Sequence, residues 1–171
     1  PVPIRVLDVG GGALSLAARQ LAQSYPDTTH VTNIDVALSN KIKEMQNFRS
    51  LCEDACKMSI PNNSIDLVYS WEMIPGLNKN RREQALGEIA RVLKPEGVAI
   101  IGEDDYCGLA SSDARLEELS SSLSLSVFLR RGNFTKSVRT GNGYENTSQF
   151  LMLMKPPIDP NIVAMTERKA A

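Results

Sequence analysis

The sequence has none of the features that mark membrane, secreted or nucleic-acid-binding proteins. No apolar run approaches the roughly 20 residues that a membrane-spanning helix needs, so we expect no membrane partner. The N-terminus lacks a basic segment followed by an apolar stretch, so we expect no secretory signal. Lysine and arginine (19) nearly balance aspartate and glutamate (20), giving a net charge of −1. Because there is no overall basic field, we expect no nucleic-acid partner.

Cysteine and histidine are scarce as well, which argues against disulfide-rich and metal-binding classes. The three cysteines, Cys52, Cys56 and Cys107, cannot all pair within one chain and do not have the spacing of a zinc site. We therefore expect free thiols, a cytoplasmic location and no metal site. His30, the one histidine, begins a predicted strand at the edge opposite the expected site and is a poor candidate for a general base. The sequence identifies no catalytic residue.

The apolar residues, 42% of the chain, follow an alternation of strand and helix patterns. Runs rich in β-forming residues predict strands over residues 4–9, 30–34, 48–52, 65–70, 98–101, 123–129 and 149–154. Helical spacing predicts helices over residues 13–23, 37–45, 81–93 and 113–122, and proline and glycine predict a turn over 94–97. The alternation predicts one α/β domain over residues 1–155, followed by a C-terminal tail over 156–171. Its expected fold is a doubly wound, mostly parallel sheet with helices on both faces.

Glycines and an acid end the first two predicted strands, at the edge where open parallel sheets bind ligands. Gly10, Gly11 and Gly12 follow the first strand, where glycine permits a tight turn and a close approach of ligand to backbone. Asp35 ends the second strand, and its carboxylate could accept both hydroxyls of a ribose. It could equally cap the helix predicted after it.

The next two strands end in further candidates. Asp54 and Ala55 follow the third predicted strand, and Ser70 and Trp71 lie at the end of the fourth. The Asp54 carboxylate could accept a hydrogen bond from an exocyclic amine such as that of adenine, or it could face water in a turn. Trp71 could stack on a ligand or simply pack against the fold. Two acids and a glycine loop after consecutive strands predict a ligand with a ribose and an amine-bearing ring.

The glycine loop distinguishes between two classes of nucleotide ligand. A dinucleotide fingerprint has the pattern G-x-G-x-x-G, but Ser15 stands three positions after Gly12. Asp8, two residues before the first glycine, would repel a pyrophosphate. The loop therefore favours a cationic or zwitterionic ligand without phosphates.

These residues resemble the motifs of class I S-adenosylmethionine-dependent methyltransferases, small-molecule methyltransferase domains in particular. Residues 6–12 (VLDVGGG) are similar to the first motif of that family, and residues 33–35 (NID) to the second. Residues 53–68 resemble its stretch from the third strand into the fourth, and residues 88–97 (EIARVLKPEG) resemble its helix and turn before the fifth. The chain departs from the pattern at Leu14 and Glu96, where the family often has glycine.

The resemblance implies S-adenosylmethionine as the cofactor and ten residues that bind it: Asp8, Gly10, Gly11, Gly12, Asp35, Val36, Asp54, Ala55, Ser70 and Trp71. In this set the glycines would pass under the methionine portion, with Asp8 near its ammonium. Asp35 would hold the ribose hydroxyls and Asp54 the adenine amine, while Ser70 and Trp71 would line the methionine end. The implied sheet has seven strands, the last antiparallel and between the fifth and sixth. Because Pro1 almost directly precedes the first strand, we expect the family's N-terminal lid helices to be missing.

Three functions are compatible with this pattern. The favoured one is methyl transfer to an unidentified small-molecule acceptor, an in-line displacement for which the protein mainly supplies proximity and alignment. The second is a non-catalytic methyltransferase-like domain that serves as a regulatory or structural part of a larger assembly. The missing lid favours it, and the intact Asp35 and Asp54 argue against it. The third is a nucleotide-dependent oxidoreductase.

Overall fold

A computed structural model describes residues 2–40, 42–104, 113–132 and 148–157, and Cys107 and residues 158–171 of the predicted tail lie outside them. The strands within the described residues are β1 Ile4–Val9, β2 Thr29–Asp35, β3 Phe48–Cys52, β4 Ile65–Trp71, β5 Leu93–Asp104, β6 Ser126–Gly132 and β7 Ser148–Met154. The helices there are α1 Leu16–Ser24, α2 Lys79–Val92 and α3 Asp113–Leu123, with a short 3-10 helix at Ile74–Gly76. None of these described helices has the length and apolarity needed to cross a membrane.

The described strands form one seven-stranded sheet in the order β3-β2-β1-β4-β5-β7-β6. Strands β1 to β5 pair in parallel, whereas β7 runs antiparallel to both of its neighbours, β5 and β6. The mostly parallel sheet with an antiparallel last strand is therefore confirmed. The chain leaves β1 towards β2 on one side, and later returns to β4 on the other. In open α/β sheets ligands bind beyond the carboxyl ends of the strands at such a reversal, which here lies between β1 and β4.

Side chains alternate between the two faces of the sheet, and helices cover both faces, as predicted. On one face Leu7 and Val9 pack with α2, whose Leu86 and Ile89 are fully buried, and this core extends to α3. On the other face Val6 and its neighbours in β2 and β3 pack against α1. Since burying one leucine or isoleucine contributes about 1.5–3 kcal/mol, these two cores fix the sheet edge that carries the loops.

The helix predicted over residues 37–45 is wrong. The structure shows no helix in residues 37–40 and 42–45, the described part of that segment. The N–H of Ala37 donates to the Asp35 carboxylate, and the N–H of Ser39 donates to the carbonyl of Ala13 in the glycine loop. Met45 forms an antiparallel bridge with Phe48. These contacts pair backbone groups of the segment without a helix, and the bridge at Met45 takes its last residue into the turn before β3.

Several further boundaries differ from the prediction, including the start of β6, which is Ser126 instead of residue 123 because α3 continues to Leu123. Helix α1 begins at Leu16 instead of residue 13, because Ser15 adopts a left-handed conformation with φ 49°. The predicted turn over residues 94–97 is part of β5. It lies where the pairing of β4 with β5 shifts register, between the Ile65–Leu93 pair and the Leu67–Val98 pair. Glu96, with φ 65°, donates its N–H to the carbonyl of Lys155 after β7. Pairing with the distant C-terminal segment keeps these residues in the sheet.

An ion pair in α2 fixes the loop between β3 and β4. Arg91 donates through Nε to Glu88 Oε1 at 2.6 Å. Its guanidinium also donates to the carbonyls of Ile60 (2.8 Å) and Met58 (3.0 Å), and Glu88 accepts the N–H of Met58 at 2.7 Å. Residues 88–97, the segment whose sequence resembles the family most closely, thus hold the loop that follows Asp54.

Candidate cofactor site

The glycine loop after β1 packs tightly against β2 and against the chain that follows β4. Gly10 and Gly12 have φ of +77° and +78°, which L side chains rarely adopt, and the Gly10 N–H donates to the carbonyl of Ile34 at 2.8 Å. A Cβ on Gly10 would overlap the side chain of Met73, whereas nothing lies within 4 Å of the same position on Gly12. The surface above Gly12 is therefore open to a ligand.

Beneath the loop, Asp8 is a buried acid, with an exposed fraction of 2%. A Cβ on Gly11 would overlap its carboxylate and the amide of Asn33, so only glycine fits over this pair. Burial raises the pKa of Asp8 from 3.8 to about 6; the nearby Tyr69 hydroxyl lowers it, and the charge of Asp35 raises it further. Asp8 Oδ2, both amide atoms of Asn33 and the Tyr69 hydroxyl make no regular hydrogen bond within the described chain.

Asp35 joins the loops after β1 and β2. One of its carboxylate oxygens accepts the N–H of Gly12 at 2.9 Å, and the other accepts the N–H of Ala37 at 2.8 Å. The second bond is a capping-type contact, although no helix follows it in the described residues. Each oxygen keeps a free lone pair for a further donor. Val36, the next residue, has 68% of its surface exposed and lies beside the carboxylate in the chain.

Asp54 lies in the turn after β3 and is bound to α2. Nη2 of Arg81 donates to both of its oxygens, at 2.8 and 2.7 Å, and the N–H of Cys56 donates to Oδ1 at 2.9 Å. The backbone bond from Cys56 and the Arg81 guanidinium hold the pKa of Asp54 below its ordinary value. Ala55 is half-buried against the core of the α2 face. Sequence reasoning proposed Asp54 as an acceptor for an adenine amine, or as a turn acid facing water, and in both cases missed its ion pair with Arg81.

Ser70 and Trp71 end β4 at the same edge. Ser70 is buried, and its Oγ has no hydrogen-bond partner among the described residues. The Trp71 ring lies against Gly102, where a Cβ would overlap it, yet 46% of the residue is exposed. Trp71 therefore packs on the fold with one side and leaves part of its surface to solvent.

Contacts between loops bring the predicted site residues to one edge. The Glu53 N–H donates to the carbonyl of Asp35, linking the ends of β2 and β3. The Glu72 N–H donates to the carbonyl of Gly102, linking the ends of β4 and β5. The same edge exposes several large apolar side chains, namely those of Leu14, Leu16, Val36 and Trp71. Ligand sites typically combine apolar side chains with a small number of polar groups.

Sequence reasoning did not select Met73, Asn33, Tyr69 or Arg81. Asn33 and Tyr69 are polar residues within apolar strands. Such residues indicate a buried polar site once the strands are aligned. The register supplies that alignment, because Asn33 and Tyr69 both pair with Asp8. Met73 had no such signal, because its contact with Gly10 depends on the path of the chain after β4.

The remaining candidates lie away from this edge or show no site. His30 is at the amino end of β2 and lines a cavity of about 580 Å³ with Arg5, Phe48 and Ile65, on the side of the sheet opposite the glycine loop. Cys52 and Cys56 are free thiols. Across the described ranges, no cluster of three or more histidine, cysteine or acidic side chains could hold a metal ion.

Known structures share the fold at low identity. Phosphoethanolamine N-methyltransferase 2 of Haemonchus contortus is 17% identical with a TM-score of 0.68, over 91% of this chain and 49% of that one. A TehB-like S-adenosylmethionine-dependent methyltransferase of Corynebacterium glutamicum is 21% identical, with a TM-score of 0.67 and coverages of 91% and 82%. The [4+2]-cyclase SpnF is 17% identical, with a TM-score of 0.66 and coverages of 91% and 76%. These likenesses show the fold.

A family model assigns the chain more specifically. No curated protein sequence is similar enough to this chain to count as a match. The model described as a methyltransferase domain matches residues 7–101, more than half of the chain, from β1 through most of β5. This range includes all ten predicted cofactor-binding residues. The chain belongs to the methyltransferase-domain family, which confirms its resemblance to the class I methyltransferases whose cofactor is S-adenosylmethionine.

Proposed function

We propose that this chain transfers the methyl group of S-adenosylmethionine to a small-molecule acceptor. The observation that carries the proposal is the Asp35 carboxylate, which accepts the N–H of Gly12 and of Ala37. These bonds hold an acid with two free lone pairs against a glycine loop at the switch point of the sheet. This is the arrangement that a ribose diol requires.

The residues at this edge fit the cofactor by their chemistry. Gly10 and Gly12 form a cradle with positive φ angles, which other residues adopt only at an energetic cost. The position above Gly12 is open. Asp8 Oδ2 and Ser70 Oγ are buried polar atoms without hydrogen-bond partners in the described chain, so an added donor would relieve a desolvation cost. We assign Asp8 to the cofactor's ammonium and Ser70 with Trp71 to its methionine end.

The same edge supports recognition of the rest of the cofactor. The exposed Val36 follows the ribose acid and offers an apolar surface to an adenine ring. Asp54, with Ala55 beside it, lies one strand further along and presents a carboxylate to the adenine amine. The acids thus lie at the carboxyl ends of β1, β2 and β3, which are neighbours in the sheet. Their order suits a ligand that extends across that edge, with its methionine end at β1 and β4.

When bound, the cofactor supplies an activated methyl group that reacts by in-line displacement. The chain's contribution is alignment: its loops fix the ligand, and the exposed side of Trp71 offers a wall to the acceptor. An acceptor that is unprotonated at the working pH needs no general base. This requirement agrees with the position of His30 at the opposite edge.

Calorimetry tests the cofactor assignment. We expect S-adenosylmethionine and S-adenosylhomocysteine to bind and NAD not to bind. Asp35→Asn should lower the affinity by about 10- to 100-fold, because hydrogen bonds to a charged acceptor contribute about 1.5–3 kcal/mol. Asp27→Asn, which removes the same charge from the exposed loop before β2, is the matched control. A preference for NAD, or equal effects of the two variants, would contradict the assignment.

Turnover is tested separately from binding. Methyl transfer is measured with a radiolabelled methyl donor and a panel of small amines, thiols, alcohols and carboxylates. We expect at least one class to be methylated by the wild type and not by Asp35→Asn at the same cofactor concentration. Tight cofactor binding without turnover on any class would support a non-catalytic methyltransferase-like domain instead.

A further inference from the structure

We propose that Arg81 is a positioning residue that sets the Asp54 carboxylate to select a nucleobase with an exocyclic amine. The inference rests on the proposed function, because it assigns a role to Arg81 at the same cofactor site. Its basis is one contact: Nη2 of Arg81 donates to both Asp54 oxygens, at 2.8 and 2.7 Å. The pair joins the turn after β3 to the first turn of α2.

The hydrogen bonds at Asp54 leave one acceptor position free. A carboxylate offers about four lone-pair sites, two on each oxygen. On Oδ1, both are used by the N–H of Cys56 and by Arg81, whereas the hydrogen bond to Oδ2 within the described residues is the one from Arg81. An amine N–H can therefore bond to Oδ2 without breaking the ion pair. Side-chain exposures of 40% for Asp54 and 43% for Arg81 leave the pair within reach of a ligand.

Asp54 is in the form that accepts hydrogen bonds and does not donate them. An aspartate is ionised at neutral pH, and the Cys56 N–H and the guanidinium lower the pKa of Asp54 further, so the part assigned to Arg81 is the direction in which it holds the carboxylate. An ionised carboxylate attracts the amine at C6 of adenine and repels the carbonyl oxygen that replaces it in hypoxanthine. The predicted consequence is discrimination between these two bases.

The backbone of Arg81 is fixed, which gives its side chain a defined direction. Its N–H donates to the Asn78 side chain at the start of α2 (3.1 Å), and its carbonyl accepts the Cys56 thiol at 3.3 Å. Further along α2, Leu86 and Ile89 are buried in the core. The guanidinium therefore extends from a rigid helix onto a loop acid. An exposed ion pair of this kind adds little to stability, and a change in stability alone would not alter the preference between two bases.

The test compares S-adenosylhomocysteine with its deaminated analogue, in which hypoxanthine replaces adenine. Affinities are measured by calorimetry for the wild type, Arg81→Gln, Arg81→Lys and Asp54→Asn. Lys79→Gln, which removes a positive charge from the same exposed helical turn, is the matched control. We expect the wild type and Lys79→Gln to prefer the adenine ligand by about 10-fold. The preference should fall below about threefold in Arg81→Gln and Asp54→Asn, and Arg81→Lys should restore part of it.

The possible outcomes are distinguishable. If Arg81→Gln keeps the wild-type preference, or loses affinity for both ligands equally, Arg81 does not position Asp54 for base selection. If the wild type binds both ligands equally, the inference is wrong while the proposed function stands. If the wild type binds neither ligand, the proposed function is wrong and the inference with it. Urea denaturation of each variant checks folding, and Asp54→Asn tests the selection if Arg81→Gln does not fold.

Discussion

The side chain of Met73 occupies the space in which Gly10 would carry a Cβ, so the loop after β4 closes directly over the loop after β1. Gly10 and Gly12 share nearly the same positive φ, but only Gly10 has a neighbour there. Substitution of Gly12 therefore introduces backbone strain alone, whereas substitution of Gly10 introduces the same strain together with a steric overlap.

We expect Gly12→Ala to lower the free energy of unfolding by about 1 kcal/mol, the cost of a left-handed conformation. Gly10→Ala should cost about 3 kcal/mol, because overlap with Met73 adds to the same strain. Urea denaturation measures both values. Equal losses would show that Met73 moves aside freely, and would contradict the close packing of the two loops.

The buried Asp8 predicts a pH dependence of stability. Its folded pKa of about 6 exceeds its ordinary value of 3.8, so ionisation is disfavoured in the folded state. This group's contribution to the free energy of unfolding should therefore be undiminished below pH 3.8 and fall as the pH rises to 6. The loss is about 3 kcal/mol, since one pKa unit corresponds to about 1.4 kcal/mol.

The measurement is the difference in unfolding free energy between Asp8→Asn and the wild type from pH 4 to pH 8. The difference cancels other carboxylates, such as Glu88, whose lowered pKa has the opposite effect. We expect Asp8→Asn to gain relative stability up to about pH 6 and then to level off. A difference that is independent of pH would show that Asp8 is not a buried, ionisable acid. The same variant should bind S-adenosylmethionine more weakly at pH 7.

The Glu88–Arg91 pair predicts a larger loss than most surface contacts. Arg91→Ala removes three bonds to the loop after β3 and leaves Glu88, whose side chain is 19% exposed, without its cation. We expect a loss of about 3 kcal/mol in the free energy of unfolding. Lys79→Ala on the same helix is the control and should cost less than about 0.5 kcal/mol. A loss of that small size in Arg91→Ala would show that the loop is held by its apolar residues alone.

Trp71 provides a direct probe of the site, because it is the one tryptophan in the chain. Its exposed side lies at the edge assigned to the cofactor, so S-adenosylhomocysteine should shift or quench its emission. The titration should saturate with the dissociation constant obtained by calorimetry, after correction with free N-acetyltryptophanamide for absorption by the ligand. Unchanged emission at saturating ligand would place the cofactor away from Trp71.

Much of the fold was predictable because it depends on local pattern. Strand β1 at Ile4–Val9 and β3 at Phe48–Cys52 match the predicted bounds, since short runs rich in β-forming residues are a local signal for a strand. The segment over residues 37–45 was not predictable in the same way. Its apolar spacing is helical, but its backbone bonds to Asp35 and Ala13 instead. The periodicity within a short segment carries no information about such partners outside it.

The sequence by itself determined the family and the edge of the sheet at which the acids and glycines lie. Strand ends in a parallel sheet meet at one edge whatever the side-chain details, so spacing along the chain was sufficient. Only the tertiary structure decided the partners of those residues: Asn33 and Tyr69 beside Asp8, Met73 over Gly10 and Arg81 on Asp54. These contacts join residues distant in the chain or on different elements. Their existence depends on strand register and helix placement, which follow from the packing of both cores.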